Sequence, residues 1–238
     1  MNLLAIDTAT DRLSIALASD TDAVNPTGRQ NTWLFEADAG LRHCELIMDC
    51  IDMLFKTAAL TPEDLSGVIC MGGPGSFTGL RIGYSTAKGL ALSLGIRFAA
   101  IPTLDCMAWP FSSLPQIIIP VIDAKKQAFF CALYDKGKSI TGPMDAAPEE
   151  IARIINEQTG QALLVGPGAP LLYGKLDSSA QTAIILGAAY GATLRWGNAQ
   201  TLLEMAAATD IFSSNTAAGP EYIRKSDAEI QLTMNKDF

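Results

Sequence analysis

The sequence predicts an α/β protein built of two lobes, and three observations carry that prediction. Short apolar runs alternate with amphipathic stretches of helical period along most of the 238 residues. Hydrophobic residues make up 49% of the chain, ample material for folded cores. A unit of apolar strand, Ile-Asp and polar turn occurs twice, as LLAIDTATDR at the start and as IIIPVIDAKK further on.

The opening reads as a hairpin: NLLAIDT is an apolar strand, ATDR a polar turn, and LSIALAS a return strand of alternating small polar and apolar residues. After the loop TDAVNPTGRQ comes a third strand, NTWLFEA. Apolar periodicity predicts a helix over 41–59, closed by LTPEDLSG, where Thr61 and Pro62 begin a short capped turn. GVICMGG reads as a buried strand that runs into the glycine loop GGPGSFTG, followed by a helix over 78–94 and the strand IRFAAI. These form the first lobe, residues 1–102. The second lobe, 103–212, opens with a short helix, TLDCMAW, and repeats strand, polar turn and strand in QIIIPVIDAKKQAFFCALYD. It continues with a helix over 149–158, the strand LLVG, the loop PGAP, the strand TAII and a helix ending at Ala208. The tail, 213–238, holds PEYIRKSD and is poor in periodic signal; its start is expected to pack and its end to fray.

Composition narrows the function. Twenty-five acidic residues against 17 basic ones give a net charge of -8, a field that opposes a phosphate backbone. Contact with nucleic acid is therefore expected only through a partner. The first apolar stretch carries Asp7, Asp11 and Arg12, unlike a signal peptide, and no apolar run approaches the roughly 20 residues of a membrane span. A cytoplasmic protein is expected, with no membrane contact. The five cysteines, at 44, 50, 70, 106 and 131, are irregularly spaced without a C-x-x-C pair and read as buried thiols in a reducing compartment. The single histidine, His43, precedes Cys44 and Glu45, but zinc wants about four ligands and Ile47 stands four positions on. No metal site is expected.

The strongest local motif is Gly72-Gly73-Pro74-Gly75-Ser76-Phe77-Thr78-Gly79. A strand that passes through glycines into a helix presents backbone N–H groups to an anion. The motif fits neither the Walker loop nor the dinucleotide fingerprint, which needs glycine where Thr78 stands. Two readings remain: a tight strand-to-helix turn with Thr78 near the N-cap, or an anion or nucleotide contact through Gly73 and Gly75. Asp7 and Asp123 end the first strand of each lobe, ahead of Thr8-Ala9-Thr10 and Ala124-Lys125-Lys126. Such a carboxylate, with Thr8 and Thr10 beside it, either holds a metal–phosphate complex or caps its own turn. The second turn lacks glycine, which denies a phosphate close approach to its backbone.

Two helices carry unusual faces. Gly79, Gly83, Ala87 and Ala91 recur every four residues, a flat stripe flanked by Arg81, Tyr84 and Lys88. The stripe either seats on the chain's own sheet or admits a second backbone. In the preceding helix Glu45, Asp49, Asp52 and Lys56 form one polar strip, while Leu46, Ile47, Met48, Cys50, Ile51, Met53, Leu54 and Phe55 occupy the rest. One core face does not need that much apolar surface, so the helix lies in the middle of a domain or under another subunit.

Together these residues resemble the TsaB (YeaZ) family, dimerisation subunits of the machinery that makes threonylcarbamoyladenosine in tRNA, within the acetate kinase/Hsp70/actin superfamily. The resemblance is carried by LLAIDTAT, RHCELIMDCI, GGPGSFTGLRIG, IPTLD, VIDAKKQAFFCALY and PEYIR, and between about 135 and 213 it is general only. It implies two ribonuclease-H-like lobes and a non-catalytic partner of TsaD, the subunit that transfers the threonylcarbamoyl group to the adenosine beside the anticodon. TsaE, a small ATPase, joins the pair. The resemblance further implies a helical interface, with His43, Leu46, Ile47, Cys50, Phe77, Gly79, Arg81, Gly83, Tyr84, Ala87 and Lys88 near the contact, and a homodimer when the chain is alone. ATP and a metal ion would belong to the partner subunits, with none held stably by this chain, and tRNA would be met only through the complex. TsaD has a His-x-x-x-His metal motif; the corresponding pair here is His43 and Ile47, which cannot bind that metal. The alternative is a free-standing ATPase or small-molecule kinase of the same superfold, using Asp7, Thr8, Thr10 and Asp123. A peptidase lacks its ligands, since no H-E-x-x-H and no Ser/His/Asp set can be built around this histidine.

Overall fold

The computed structural model describes residues 1–19, 31–158, 160–186, 197–212 and 219–224. In it β1 (Leu3–Asp7), β2 (Arg12–Ser19) and β3 (Asn31–Asp38) form an antiparallel meander. β4 (Gly67–Gly73) and β5 (Arg97–Pro102) then add in parallel on the other side of β1, giving the order β3-β2-β1-β4-β5. The second sheet uses β6 (Ile117–Asp123), β7 (Phe129–Cys131), β10 (Met144–Ala146), β11 (Ala162–Val165) and β12 (Ile184–Leu186) in the order β10-β7-β6-β11-β12. Its parallel and antiparallel pairings repeat those of the first, and a small hairpin, β8 (Tyr134–Asp135) with β9 (Lys138–Ser139), pairs with β6. The echo between LLAIDTATDR and IIIPVIDAKK is thus a repeated topology. β1 and β6 take the same central place and end in Asp7 and Asp123. This is the α/β, ribonuclease-H-like arrangement the resemblance implies.

Alternation along the strands sends residues to opposite faces. Leu4, Ile6, Leu13, Ile15, Leu17, Val68 and Cys70 face α1 (His43–Ala58) and α2 (Phe77–Leu94). Leu3, Ala5, Ala16, Ala18, Ile69 and Met71 face the other way, against Leu202, Leu203 and Met205 of α7 (Ala199–Ala208). The alanines leave room for α7 to lie close. The sequence reading assigns 103–212 to the second lobe, and here it needs correction. Residues 199–212 return to the first sheet, where their apolar side chains, with Cys106 and Trp109, cover its second face. The residues leading into that helix, 187–196, lie outside the described residues, as do 20–30 of the early loop and 213–218 and 225–238 of the tail.

The second sheet packs one face on α4 (Pro148–Asn156), α5 (Ala169–Tyr173) and α6 (Ser178–Thr182), where Ile119, Val121 and Leu164 meet Ile151, Ile155, Leu172 and Ala180. Its other face takes Leu104 and Met107 of α3 (Thr103–Ala108) against Ile118, Phe130 and Leu163. Because α3 also touches β4, β5 and α7, it joins the two lobes. No helix among the described residues is long and apolar enough to cross a membrane.

The start of α2 shows how local chemistry sets the register. Its N-cap is Ser76, whose Oγ accepts from the Gly79 N–H at 3.2 Å, two residues before the expected Thr78. Serine wins because its oxygen reaches the N3 amide, whereas Thr78 lies exposed within the first turn. The flat stripe then seats on the end of β1. A Cβ on Gly79 would sit closer than 3.0 Å to the Thr8 carbonyl, and one on Gly83 closer than 3.0 Å to the Thr8 hydroxyl. That hydroxyl donates to the Gly79 carbonyl at 2.7 Å. Gly83→Ala is therefore expected to destabilise the fold by about 1–3 kcal/mol through overpacking. Gly89→Ala, in the same helix but with open space around it, should raise stability by up to about 1 kcal/mol. Urea denaturation midpoints of the two variants should move in opposite directions from wild type.

Candidate functional site

A cleft of about 660 Å³ opens between the ends of β1 and β6, within the size range of small-molecule sites. Thr10, Asp11, Arg12 and the loop from Pro74 to Phe77 line it from the first lobe. Asp123, Ala124, Lys125 and Lys126, with Pro167 and Leu171, line it from the second, and Glu221, Tyr222, Ile223 and Arg224 close one side.

Asp7 does not line this cleft. It is fully buried: its Oδ1 accepts from the Ala9 N–H at 2.9 Å, and its Oδ2 accepts from the backbone N–H and the side-chain amide of Asn198 at 3.0 and 2.9 Å. The carboxylate thus sits at the N-terminus of α7 and satisfies a donor that the helix leaves unpaired. Burial raises its pKa, and the three N–H donors oppose that rise. Asp7 therefore caps its own turn through Oδ1 and, through Oδ2, the start of a helix 191 residues away. Thr8 is likewise buried and spends its hydroxyl on Gly79. Of Asp7, Thr8 and Thr10, it is Thr10 that lines the cleft, with its Oγ1 accepting from the Arg12 N–H at 3.4 Å.

The glycine loop is a tight turn packed against the chain's own backbone. Ser76 N–H donates to the Ala9 carbonyl at 2.7 Å, and a Cβ on Gly75 would fall 2.5 Å from that same oxygen. Gly73 has a φ of +108°, and the Glu221 carbonyl occupies the place its Cβ would take. Glu221 N–H donates to the Gly72 carbonyl at 2.7 Å. The glycines at 73 and 75 therefore admit a close approach of protein backbone, and the N–H groups of Ser76 and Gly79 are already used.

Asp123 does face the cleft, accepting from the backbone N–H of Lys125 at 2.8 Å and from its ammonium at 3.1 Å. Partial burial alone would raise its pKa, but the hydrogen bonds and charge of Lys125 outweigh it and hold the carboxyl below its ordinary range. The turn that follows is unusual. Lys125, Lys126 and Gln127 have φ of +60°, +52° and +64°, three consecutive left-handed residues without a glycine. Left-handed backbone costs roughly 1–2 kcal/mol at each such residue. Bonds from Ala124 N–H to the Ala128 carbonyl and from Ala128 N–H to the Lys125 carbonyl, both 3.1 Å, close the turn. The cleft therefore mixes Arg12, Lys125, Lys126 and Arg224 with Asp11, Asp38 and Asp123, and no histidine or cysteine is among its described lining residues.

The interface expectation divides. His43, Ile47 and Cys50 are buried beneath α1, and Gly79, Gly83, Tyr84 and Ala87 beneath α2, because both helices fill the same face of the first sheet. All seven are packed within the chain's own core, where the resemblance implies contact with a partner. His43 Nε2 is buried without a hydrogen-bond partner among the described residues. Leu46 is partly buried against the same core. Lys88 is half-buried with its ammonium 5.8 Å from the Tyr84 ring centroid, and Tyr84 accepts at its hydroxyl from the Gly219 N–H. Phe77 lies under the exposed Arg81 guanidinium at 3.9 Å. The large apolar side chains that α1 and α2 leave exposed are Met48 (52%), Met53 (44%) and Leu92 (74%), none of which the sequence reading places at the contact. The signal for the two methionines was present in a helix apolar around most of its circumference; Leu92 carried none.

The state of Asp7 has a measurable consequence. An acid whose folded pKa is raised holds its proton in the native state after the unfolded chain has lost it, so stability falls as pH rises from 3.8 through the raised value. Asp7→Asn removes that slope and leaves N–H donors unpaired at neutral pH, at a cost of about 1–3 kcal/mol. Denaturation curves at stepped pH should show the wild-type advantage over Asp7→Asn shrinking as pH rises across that window.

The profile of the tRNA N6-adenosine threonylcarbamoyltransferase family (TsaD) matches residues 37–182. The chain is 34% identical over 136 residues to the Bacillus subtilis tRNA threonylcarbamoyladenosine biosynthesis protein TsaB, a match spanning 56% of this chain and 55% of that one. It thus spans about half the length of that relative. With the Escherichia coli protein of the same name it shares 30% identity over 176 residues, covering 71% of this chain and 72% of the relative. In structure it is similar to YeaZ from Pseudomonas aeruginosa, with a TM-score of 0.70 at 20% identity over 93% of this chain and 99% of that one. That likeness speaks to the fold.

Proposed function

The chain belongs to the TsaB (YeaZ) family, and from that premise we propose that it serves the synthesis of threonylcarbamoyladenosine in tRNA as a non-catalytic scaffold. It pairs with TsaD, which carries the chemistry, and TsaE joins the pair. Alone, the chain forms a homodimer. It meets tRNA only inside the complex, as a net charge of -8 favours. ATP and a metal ion are used by the partner subunits, and the assembly works in the cytoplasm.

The observation that carries this reading is the saturated state of Asp7. A phosphotransferase of this superfold needs a carboxylate at that strand end free to hold a metal–phosphate complex. Here both oxygens are taken by Ala9 and Asn198. Docking falls to what α1 and α2 leave exposed, chiefly Met48, Met53 and Leu92, apolar side chains on helices of one face of the first sheet.

Sedimentation of the chain with TsaD from the same organism tests the proposal. A mixed complex should form, and Met53→Glu or Leu92→Glu should each weaken it by roughly tenfold or more while the circular dichroism spectrum stays that of wild type. A complex indifferent to both changes would remove the interface from these helices. Sustained ATP turnover by the chain alone would favour a free-standing ATPase instead.

A further inference from the structure

Residues 219–224 touch both lobes. On the first lobe the Gly219 N–H donates to the Tyr84 hydroxyl at 3.1 Å, and the Glu221 N–H donates to the Gly72 carbonyl at 2.7 Å. The Tyr222 ring lies 4.7 Å from that of Phe77, and its hydroxyl accepts from Arg81 Nε at 3.2 Å. Two residues later the chain is fastened to the second lobe. Arg224 donates through Nε and Nη2 to the two oxygens of Asp145, each at 2.6 Å, and through Nη1 to the Ala124 carbonyl at 2.7 Å. Ile223 packs on the cluster of Ile122 and Phe130.

We propose that this segment is a strap that fixes the opening of the interlobe cleft, so that the two lobes move as one body. Three features favour a strap over a loosely laid tail. Its fastening to the second lobe is a two-pronged guanidinium–carboxylate pair whose side chains are only 24% and 21% exposed, the geometry in which such pairs are strongest. Its fastening to the first lobe is built into the backbone, because Gly73 at φ +108° has no Cβ where the Glu221 carbonyl lies. It also closes a side of the cleft with its own residues, whereas the other joint described above, α3, packs behind Phe130 and contributes no lining residue of its own. A hinge at α3 alone would let the sheets part, and the strap ties them together across the gap. Nothing in this depends on the choice of partner, so the scaffold reading could fail while the strap holds.

The test uses the full chain with Cys44→Ser and spin labels at two exposed helical positions, Thr57→Cys on α1 and Glu149→Cys on α4. Pulsed dipolar spectroscopy then reads the interlobe distance. With the strap intact the distribution should be narrow. Arg224→Ala and Asp145→Ala should each make it roughly twice as wide, and the double variant should add nothing further, because either change alone releases the same fastening. Gly73→Ala, which pushes the Glu221 carbonyl away from the other end, should give the same widening if it folds. A distribution that stays narrow in either Arg224→Ala or Asp145→Ala, with circular dichroism unchanged, overturns the proposal.

Discussion

The Asp7 carboxylate is taken wholly out of water, and a charge in that position is tolerated only where hydrogen bonds surround it. Three N–H groups do so, two of them from Asn198. The end of β1 is thereby tied to the start of α7, and α7 in turn covers the alanine face of Ala5, Ala16 and Ala18. Beside it, Thr8 meets α2 at the two positions where a Cβ would not fit. Two consecutive residues at one strand end thus position a helix on each face of the sheet.

This arrangement occupies both oxygens of Asp7 and the N–H groups of Ser76 and Gly79 with partners from the chain itself. The cleft persists, but several of its charged residues are engaged: Arg12 with Asp38 at 3.8 Å and Lys125 with Asp123, both within the lining, and Arg224 with Asp145 outside it. Fold alone says nothing about activity, and the decision rests on such sites. In this chain the strand-end carboxylate caps a helix and the glycine loop holds its own backbone, which is what the proposed scaffold role rests on.

Much of the architecture was legible because it rests on short-range pattern. The repeated strand ending in Ile-Asp announced two units of one plan, and LSIALAS was legible as a strand, whose Leu13, Ile15 and Leu17 face one core and Ala16 and Ala18 the other. What stayed hidden depends on contacts distant in sequence. An amphipathic helix such as α7 says that one of its faces is covered, without saying by which sheet, so it was placed with its sequence neighbours. The glycine stripe of α2 fitted equally well against a sheet or a partner until Thr8 was found beneath it. α1 advertised excess apolar surface, but only packing could divide Ile47 and Cys50, which point inward, from Met48 and Met53, which do not. The left-handed turn at Lys125, Lys126 and Gln127 carried no signal at all, since lysine and glutamine have no preference for that conformation.

The most direct test of the central claim, that Asp7 is structural and the chain a scaffold, is the rate of tRNA threonylcarbamoylation by reconstituted TsaD and TsaE with the chain carrying Asp7→Asn, at a temperature where the variant is folded. The account predicts a rate within about twofold of wild type once complex formation is matched, because a group that touches no substrate contributes nothing to the transition state. A loss of a hundredfold or more in a folded, fully assembled complex would contradict it and return Asp7 to the chemistry.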